Sequence, residues 1–244
     1  MELTIAHLYP DVMSLYGEYA NIAVLRRMLE AMGVEVTVRR ITFEDLMDVS
    51  GADFIYMGAG TERRQKAVLN AAPQYGPALQ TAAQDGAVLL FTGNAMETLG
   101  ASVTDAAGKV WPGYALADFA TVETDRRDPG DVVAVSELWD APAVGFMNKC
   151  STTHGITTPM FRELPLGFGN EAEHGPEGYV SGNVFATHLT GPVLVKNPQM
   201  LDFFVRRLFA RKGWDCPEVL PELPHQQAAY ETTLRELRGR IKTQ

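Results

Sequence analysis

Two short glycine-containing loops are the first places where this sequence could do chemistry. Residues 58–60 read Gly-Ala-Gly and residues 92–94 read Thr-Gly-Asn, and each loop follows an apolar, strand-like run. Functional loops of parallel α/β sheets lie at the carboxyl ends of the strands. Small residues there let backbone N–H groups face an anion or a developing oxyanion. We therefore predict substrate contacts at Gly58, Gly60 and Asn94, while ordinary turn chemistry would account for either loop taken alone.

The elements that would position these loops alternate between strand and helix over the first hundred residues. Apolar runs predict strands, and apolar residues three or four positions apart predict helices. The predicted strands are 3–8, 34–38, 53–57 and 87–91, and the predicted helices are 18–32 and 62–84, the second interrupted near Pro73 and Pro77. This alternation favours an α/β fold whose mostly parallel sheet is flanked by helices.

After Gly100 the pattern changes to short β-like segments separated by Gly, Pro or Asp. These segments are 115–123, 131–136, 143–147, 164–168 and 183–188. An amphipathic helix follows over 199–211, and the end of the chain has the pattern of a polar helix. We predict one domain over residues 1–212 and a mainly helical C-terminal extension over residues 213–244.

The composition limits what the chain can bind. The net charge of −9 disfavours nonspecific binding to nucleic acid or anionic lipid. Two cysteines, Cys150 and Cys216, are too few for a disulfide framework or a cysteine-rich zinc site. No apolar run approaches the ~20 residues that cross a bilayer, and the N-terminus has no secretory pattern. We expect a cytoplasmic protein with no metal, cofactor, nucleic-acid partner or membrane span.

Two longer motifs carry a resemblance to a known family. Residues 88–100 read VLLFTGNAMETLG. They resemble the nucleophile elbow of class I glutamine amidotransferases of the cobyric-acid-synthase (CobB/CobQ) type, whose pattern is close to Cys-Gly-Gly-Tyr-Gln-x-Leu-Gly. Residues 186–198 read ATHLTGPVLVKNP and are similar to that family's second signature, Thr-Tyr-Leu-His-Gly-Pro followed by Lys-Asn-Pro. The resemblance implies a flavodoxin-like fold and hydrolysis of glutamine by a cysteine and a histidine.

Further segments narrow the resemblance to GatD, the glutaminase subunit of lipid II isoglutaminyl synthase. They are the first loop and helix (Leu15-Tyr16, Asn21-Ile22, Leu25-Arg26), residues 53–65, residues 144–148, residues 167–170 and the pair Glu177-Gly178. Together they extend over roughly residues 1–212. The resemblance implies a heterodimer with a Mur-ligase-like synthetase subunit, which uses ammonia released from glutamine to amidate D-glutamate in the peptidoglycan precursor.

The catalytic dyad of that family is absent from this sequence. Aligned on its final Leu-Gly, the elbow motif places Gly93 at the nucleophile and Glu97 at the glutamine. Aligned on Gly-Pro, the second motif places Thr190 at the catalytic histidine. Glycine has no side chain to attack an amide, and a threonine hydroxyl is no general base near neutral pH. Glycine also adopts the backbone of an elbow without strain. We therefore predict a catalytically degenerate subunit.

Other nucleophiles and bases leave two alternatives open. Thr92 and His188 lie beside the replaced positions, and Cys150 precedes His154 by four residues. A rearranged site using Cys150 and His188 would make the chain an active amidohydrolase. Alternatively, the pocket that binds glutamine in the family would here bind an amino acid without hydrolysing it. The chain would then be a regulatory module. The ordinary interpretations are a histidine of intermediate burial at a strand end and a cysteine buried as a small hydrophobe.

Arg127 is the candidate substrate-binding cation. It precedes a Pro-Gly-Asp turn at residues 129–131. The resemblance aligns it with an arginine linked to substrate binding. A guanidinium suits bidentate capture of the α-carboxylate of glutamine, and a solvated loop charge is the alternative. Arg127 completes the predicted substrate-binding set with the three loop residues named above.

Overall fold

The computed structural model describes residues 1–241 of the 244-residue chain. The strands are β1 (Glu2–Leu8), β2 (Glu35–Ile41), β3 (Phe54–Met57), β4 (Val88–Thr92), β5 (Ser102–Thr104), β6 (Val110–Pro112), β7 (Ala120–Val135), β8 (Ala143–His154), β9 (Glu163–Leu166), β10 (Tyr179–Ser181) and β11 (Val184–Thr187). The helices are α1 (Tyr19–Ala31), α2 (Glu62–Gln84), α3 (Ala95–Thr98), α4 (Val193–Lys196), α5 (Pro198–Lys212) and α6 (Pro224–Ile241), and a 3-10 turn covers Leu15–Gly17.

The first sheet has six strands in the order β2-β1-β3-β4-β11-β10. Neighbouring strands of this sheet pair in parallel, except that β10 runs antiparallel to β11 at the edge. The carboxyl ends of β3, β4 and β11 therefore meet at one edge of the sheet. This arrangement confirms the predicted α/β class with a mostly parallel sheet, and it brings the two glycine-containing loops together.

Both faces of this sheet are buried, because alternate residues of one strand point to opposite sides. Phe54 and Tyr56 of β3 belong to the core beneath α1 and α5, whereas Ile55 and Met57 belong to the core beneath α2. The central strands β3 and β4 consequently have continuous apolar sequences rather than alternating ones. Packing on both faces of the sheet fixes the position of these strands and therefore of the loops at their ends.

The prediction of an interruption in the second helix is wrong. Helix α2 continues through Pro73 and Pro77. Both prolines are exposed and lie four residues apart, hence on the same side of the helix. Val68, Leu69 and Leu79 keep the other face of the helix buried, so packing holds the helix together although each proline removes one backbone hydrogen bond.

The second sheet has the order β6-β5-β7-β8, with β9 paired to the other edge of β7. The prediction of separate strands over 115–123 and 131–136 is wrong, because β7 runs as one strand from Ala120 in the first segment to Val135 in the second. The turn-like residues 126–130 are accommodated by a shift in the pairing with β8 between Glu123 and Asp128. Such an irregularity keeps a strand continuous where its sequence predicts a break.

Helix α6 packs on this second sheet. Its buried residues Tyr230, Leu234 and Leu237 contact a small apolar cluster that includes Val133 and Val144. The domain boundary at residues 212–213 stays a prediction, and the last three residues of the predicted extension lie outside the described residues. Within residues 1–241 no helix is long and apolar enough to cross a membrane.

Candidate functional site

The elbow of the family motif is preserved as backbone. Strand β4 ends at Thr92, Gly93 follows with φ +60°, and α3 begins two residues later. The Gly93 N–H donates to the carbonyl of Leu189 at 3.1 Å, which fixes the turn against the chain after β11. A Cβ at Gly93 would lie 2.5 Å from the Cβ of Ala59. A cysteine therefore cannot occupy this position unless the 58–60 loop moves.

Thr190, which the second motif aligns with the family histidine, is buried in the chain just after β11. Its backbone N–H donates to the carbonyl of Phe146 at 2.8 Å. Its hydroxyl donates to Glu18 Oε1 at 2.5 Å. The Thr190 side chain is thus turned toward a buried carboxylate and serves as a hydrogen-bond donor rather than as a base.

Glu18 is the centre of a saturated hydrogen-bond network behind the elbow, and its side chain is fully buried. The donors to its carboxylate are Thr190 Oγ1, Gly191 N, Thr92 Oγ1, Asn21 Nδ2 and the Tyr56 hydroxyl. Burial and then the neighbouring Glu18 charge raise the pKa of Tyr56 well above its ordinary value. Five donors satisfy the oxygens of this buried carboxylate and so offset the cost of removing it from water. We call this set the Glu18 network.

A cavity of about 240 Å³ opens in front of the elbow. It is lined by Leu15, Tyr16, Ala59, Gly60, Thr61, Glu62, Gly93, Asn94, Glu97, Glu123, Arg127, Asn148, Lys149, Cys150, Ser151, His188 and Thr190. Three of the four predicted substrate-binding residues are in this set, together with Gly93 and Thr190, which the motifs align with the family's catalytic dyad. Gly93 and Thr190 therefore both border the open space of the cavity.

The loop residues occupy different places around the cavity. Gly60 and Asn94 tie the two loops together: Gly60 N donates to Asn94 Oδ1 at 2.9 Å, and Asn94 Nδ2 donates to Gly60 O at 3.0 Å. The N–H of Gly60 is therefore engaged within the protein. Gly58 is not among the cavity-lining residues and packs against Glu18, where a Cβ would lie 2.7 Å from the glutamate Cβ.

Arg127 lies at the mouth of the cavity. Its guanidinium forms an ion pair with Glu62 and donates to Asn148 Oδ1 at 3.2 Å. Asn148 in turn donates to the hydroxyl of Tyr16 at 2.8 Å. The hydrogen bond to Glu62 raises the pKa of Arg127. Burial works to raise the pKa of Glu62, but the hydrogen bond from Arg127 and further contacts keep that pKa below its ordinary value.

Cys150 and His154, considered above as a relocated pair, have different partners. The Cys150 thiol lies 3.5 Å from Glu62 Oε1, and burial raises its pKa to about 11. A thiol with such a pKa carries little thiolate near neutral pH and is a poor nucleophile. His154 is exposed and hydrogen-bonds to Thr152 and Glu171. Thr92 is fully buried, donates to Glu18 and does not line the cavity.

A second cluster of buried polar residues lies at the floor of the cavity, and the sequence did not predict it. His188 lies between two carboxylates: its Nδ1 is 3.0 Å from Glu177 Oε1 and its Nε2 is 3.5 Å from Glu97 Oε1. Glu97 also accepts from Ser151 Oγ at 2.6 Å and from Gln65 Nε2 at 2.5 Å. We call Glu97, His188 and Glu177 the floor cluster.

Burial works to raise the pKa of Glu97, but the neighbouring His188, Ser151 and Gln65 side chains together hold that pKa below its ordinary value. His188 is buried, so the interpretation of it as a histidine of intermediate burial at a strand end is wrong. The replacement of a family glutamine by Glu97 was visible in the sequence, but its contact with His188 was not. In the part of the chain that the structure describes, no group of three or more His, Cys, Asp or Glu residues is arranged to hold a metal ion.

The fold and the elbow define the class of protein. The chain is similar in structure to a solved glutamine amidotransferase, with a TM-score of 0.53 at 14% identity over 83% of this chain and 98% of that one. It is also similar to a glutamine amidotransferase from Thermotoga maritima, with a TM-score of 0.51 at 8% identity over 98% and 94% of the two chains. At these identities the likeness establishes the fold.

The family follows from the sequence motifs and the match that contains them. Residues 4–198 match the CobB/CobQ-like glutamine amidotransferase domain, and the chain belongs to that family. It is similar to GatD, a subunit of lipid II isoglutaminyl synthase (glutamine-hydrolyzing), from Staphylococcus aureus strain N315, at 29% identity over 87% of this chain and 86% of that protein. GatD of Streptococcus pneumoniae is 28% identical over 82% of this chain and 77% of that protein.

Proposed function

We propose that this protein is a noncatalytic GatD-like subunit that forms a cytoplasmic heterodimer with a Mur-ligase-like synthetase. In that complex the synthetase amidates D-glutamate of lipid II, and this chain does not supply ammonia by hydrolysing glutamine. The similarity to two GatD subunits over most of both chains supports the pairing and the substrate. The family membership supports the class of reaction that the complex carries out.

The observation that carries the noncatalytic role is the geometry around Gly93. The residue lacks a side chain, and the methyl group of Ala59 occupies the space that a Cβ would need. Thr190, at the histidine position, donates its hydroxyl proton to Glu18. Both halves of a thiol–imidazole dyad are thus replaced, and the surrounding residues are packed around the replacements.

The test is reconstitution with the Mur-ligase-like subunit of the same organism. Lipid II, ATP and either glutamine or ammonium chloride are supplied as separate reactions, and amidated product is measured by mass spectrometry. We expect amidation from ammonium chloride and none from glutamine. Amidation from glutamine with matching release of glutamate would overturn the noncatalytic role, and failure to form a complex would overturn the pairing.

A second candidate function, capture of an amino acid without hydrolysis, is favoured by the open cavity. Gly60, Thr190 and Arg127 line the same space, and the Arg127 guanidinium lies at its mouth. A carboxylate bound there would pair with Arg127 in competition with Glu62. The measurement is the melting temperature with glutamine, since a ligand that binds the native state alone raises it. No rise at saturating glutamine would exclude this role.

A further inference from the structure

An apolar groove of about 460 Å³ is formed by three helices that are far apart in the sequence. Val24 of α1, Val195 of α4 and Pro224 at the start of α6 all line it. Among the described residues, none lines both this groove and the cavity in front of the elbow. The groove is therefore a second concave surface, which the chemistry of the cavity does not use. We call it the α1 groove.

The charge of the α1 groove is opposite to that of the whole chain. The chain carries a net charge of −9, yet among residues 1–241 the ionisable side chains that line the groove are Arg27 and His225. Arg27 is exposed, and its guanidinium has no ion pair or hydrogen bond within the described residues. Its neighbour Arg26 differs, because it pairs with Glu30 at 2.6 Å. In a chain with more carboxylates than cations, an unpaired arginine at a groove favours an acidic partner.

A second unpaired cation, Lys196, extends this charge toward the cavity. Lys196 follows Val195 at the end of α4, and no described residue forms an ion pair or hydrogen bond with its ammonium group. The ammonium lies beside Gly191, where a Cβ would be 3.3 Å from Nζ, and Gly191 directly follows Thr190 of the cavity lining. Burial lowers the pKa of Lys196 against the opposing charge of Asp131. A carboxylate supplied from outside would stabilise the charged form of this half-buried side chain.

Exposed tyrosines lie at the beginning of α1, where the groove approaches the cavity. Tyr19, the first residue of the helix, is 64% exposed, and Tyr16 in the preceding 3-10 turn is 47% exposed. Tyr16 lines the cavity and Ala20 lines the groove, so this short segment joins the two. Tyr16 has φ +61°, a left-handed conformation that is costly for a bulky side chain and persists at functional positions. Tyrosine and arginine are enriched among the residues that contribute most to the energy of protein interfaces. The combination indicates that a protein covers this surface.

The lining of the α1 groove limits the backbone of its occupant. The side-chain amide of Gln226 already donates to the carbonyl of Leu194 at 2.7 Å. None of the described lining residues belongs to a strand, so an extended segment would find no sheet edge to satisfy its N–H and C=O groups. A helix satisfies those groups internally and presents apolar side chains at intervals of three or four residues. The lining therefore favours an amphipathic helix.

We propose that the α1 groove is the docking site for an amphipathic helix of the Mur-ligase-like synthetase. The helix places apolar residues in the groove and carboxylates against Arg27 and Lys196. This proposal rests on the proposed heterodimer, and it adds the surface and the chemistry through which the two chains meet. The docked helix covers Tyr19 and brings the synthetase to the cavity beside Tyr16.

The first test measures the Kd of the complex between the full chain and the synthetase of the same organism, by titration calorimetry. Ala23 lines the groove and is exposed, so Ala23→Glu keeps the fold and places a carboxylate in the apolar surface. We expect the Kd to rise about 100-fold. Ala210→Glu, at an exposed alanine of α5 outside the groove, is the matched control and should leave the Kd unchanged. A Kd that Ala23→Glu leaves unchanged would overturn the proposal.

The charge reversal Arg27→Glu tests the acidic character of the partner helix. We expect the Kd to rise at least ~10-fold, and we expect added salt to weaken the wild-type complex more than the complex of this variant. Arg235→Glu reverses an exposed charge of α6 outside the groove and should leave the Kd unchanged. The melting temperature of each free variant should stay at the wild-type value, which separates lost binding from lost folding. Unchanged or tighter binding by Arg27→Glu would contradict an acidic partner helix.

Photocrosslinking from p-benzoylphenylalanine in place of Tyr19 identifies the occupant directly. We expect crosslinks to one amphipathic helical segment of the synthetase that carries aspartate or glutamate. Crosslinks to a second copy of this chain, or to a synthetase segment without carboxylates, would overturn the proposal. A wild-type chain that does not bind the synthetase would contradict the proposed heterodimer itself, whereas a complex insensitive to the groove variants would contradict only the docking site.

Discussion

Two buried carboxylates lie on opposite sides of the elbow, and their surroundings differ. Glu18, behind Gly93, accepts from five donors and does not border the cavity. Glu97, on the floor, borders the cavity and lies 3.5 Å from His188 Nε2. A fully satisfied polar network stabilises a fold. The Glu18 network is therefore structural, whereas Glu97 and His188 belong to the lining of the cavity.

The largest effect on the free energy of unfolding is expected from a change in the Glu18 network. In Glu18→Ala, the hydroxyl of Thr190, the N–H of Gly191 and the other donors lose their shared acceptor. We expect the free energy of unfolding to fall by about 3–5 kcal/mol, as it does when one member of a buried charged network is removed. Urea denaturation measures it, with Glu163→Ala as a surface control that should change it by less than ~0.5 kcal/mol. A loss below ~1 kcal/mol would mean that the network contributes little.

The next effect concerns the residue between the two clusters. Gly93→Cys introduces a Cβ against Ala59 and places a side chain at φ +60°. We expect a loss of about 2–4 kcal/mol from overpacking and backbone strain. The double variant with Ala59→Gly should recover the overpacking part, and equal stability of the single and double variants would contradict the proposed collision. We expect no glutamine hydrolysis from either variant, because Thr190 supplies no base.

A buried titratable residue outside both clusters sets the pH dependence of stability. Burial, and then the charge of Arg40, lower the pKa of His7 to about 4. The unfolded chain binds a proton near pH 6.5, so stability is lost as the pH falls from 6.5 toward 4. Between pH 7 and pH 5 we expect His7 to account for about 2 kcal/mol of that loss. Urea unfolding of His7→Gln at both values should show a shallower dependence than wild type, and an identical dependence would refute the assignment.

The smallest effect on stability is expected at the mouth of the cavity. Arg127 and Glu62 are both about half exposed, and such ion pairs contribute about 0–1 kcal/mol. Arg127→Ala should leave the melting temperature nearly unchanged and should abolish any rise caused by glutamine. Arg127→Lys keeps the charge but not the bidentate geometry, so it should restore only part of that rise. A full glutamine response in Arg127→Ala would exclude this residue as the carboxylate-binding group.

The sheet was predictable from the sequence, because its strands are contiguous apolar runs. The alignment that puts Gly93 and Thr190 at the family's catalytic positions also uses contiguous runs, and it stays a prediction. The elbow motif around Gly93 and the Gly-Pro motif after Thr190 are local patterns. The Glu18 network was not predictable, since Glu18 and Thr190 are 172 positions apart and meet only in the folded chain. His188 and Glu97 likewise come from different strand ends. The long β7 strand was missed because the register shifts between Glu123 and Asp128 without a turn, and Pro129 and Gly130 stay paired with β8.

The most direct test of the noncatalytic role is the release of glutamate from glutamine by the purified chain, alone and with its synthetase partner. We expect a rate no higher than that of spontaneous hydrolysis, unchanged in Cys150→Ser and His188→Gln. A rate above that background that Cys150→Ser or His188→Gln removes would contradict it, because the cavity would then hold a working nucleophile or base.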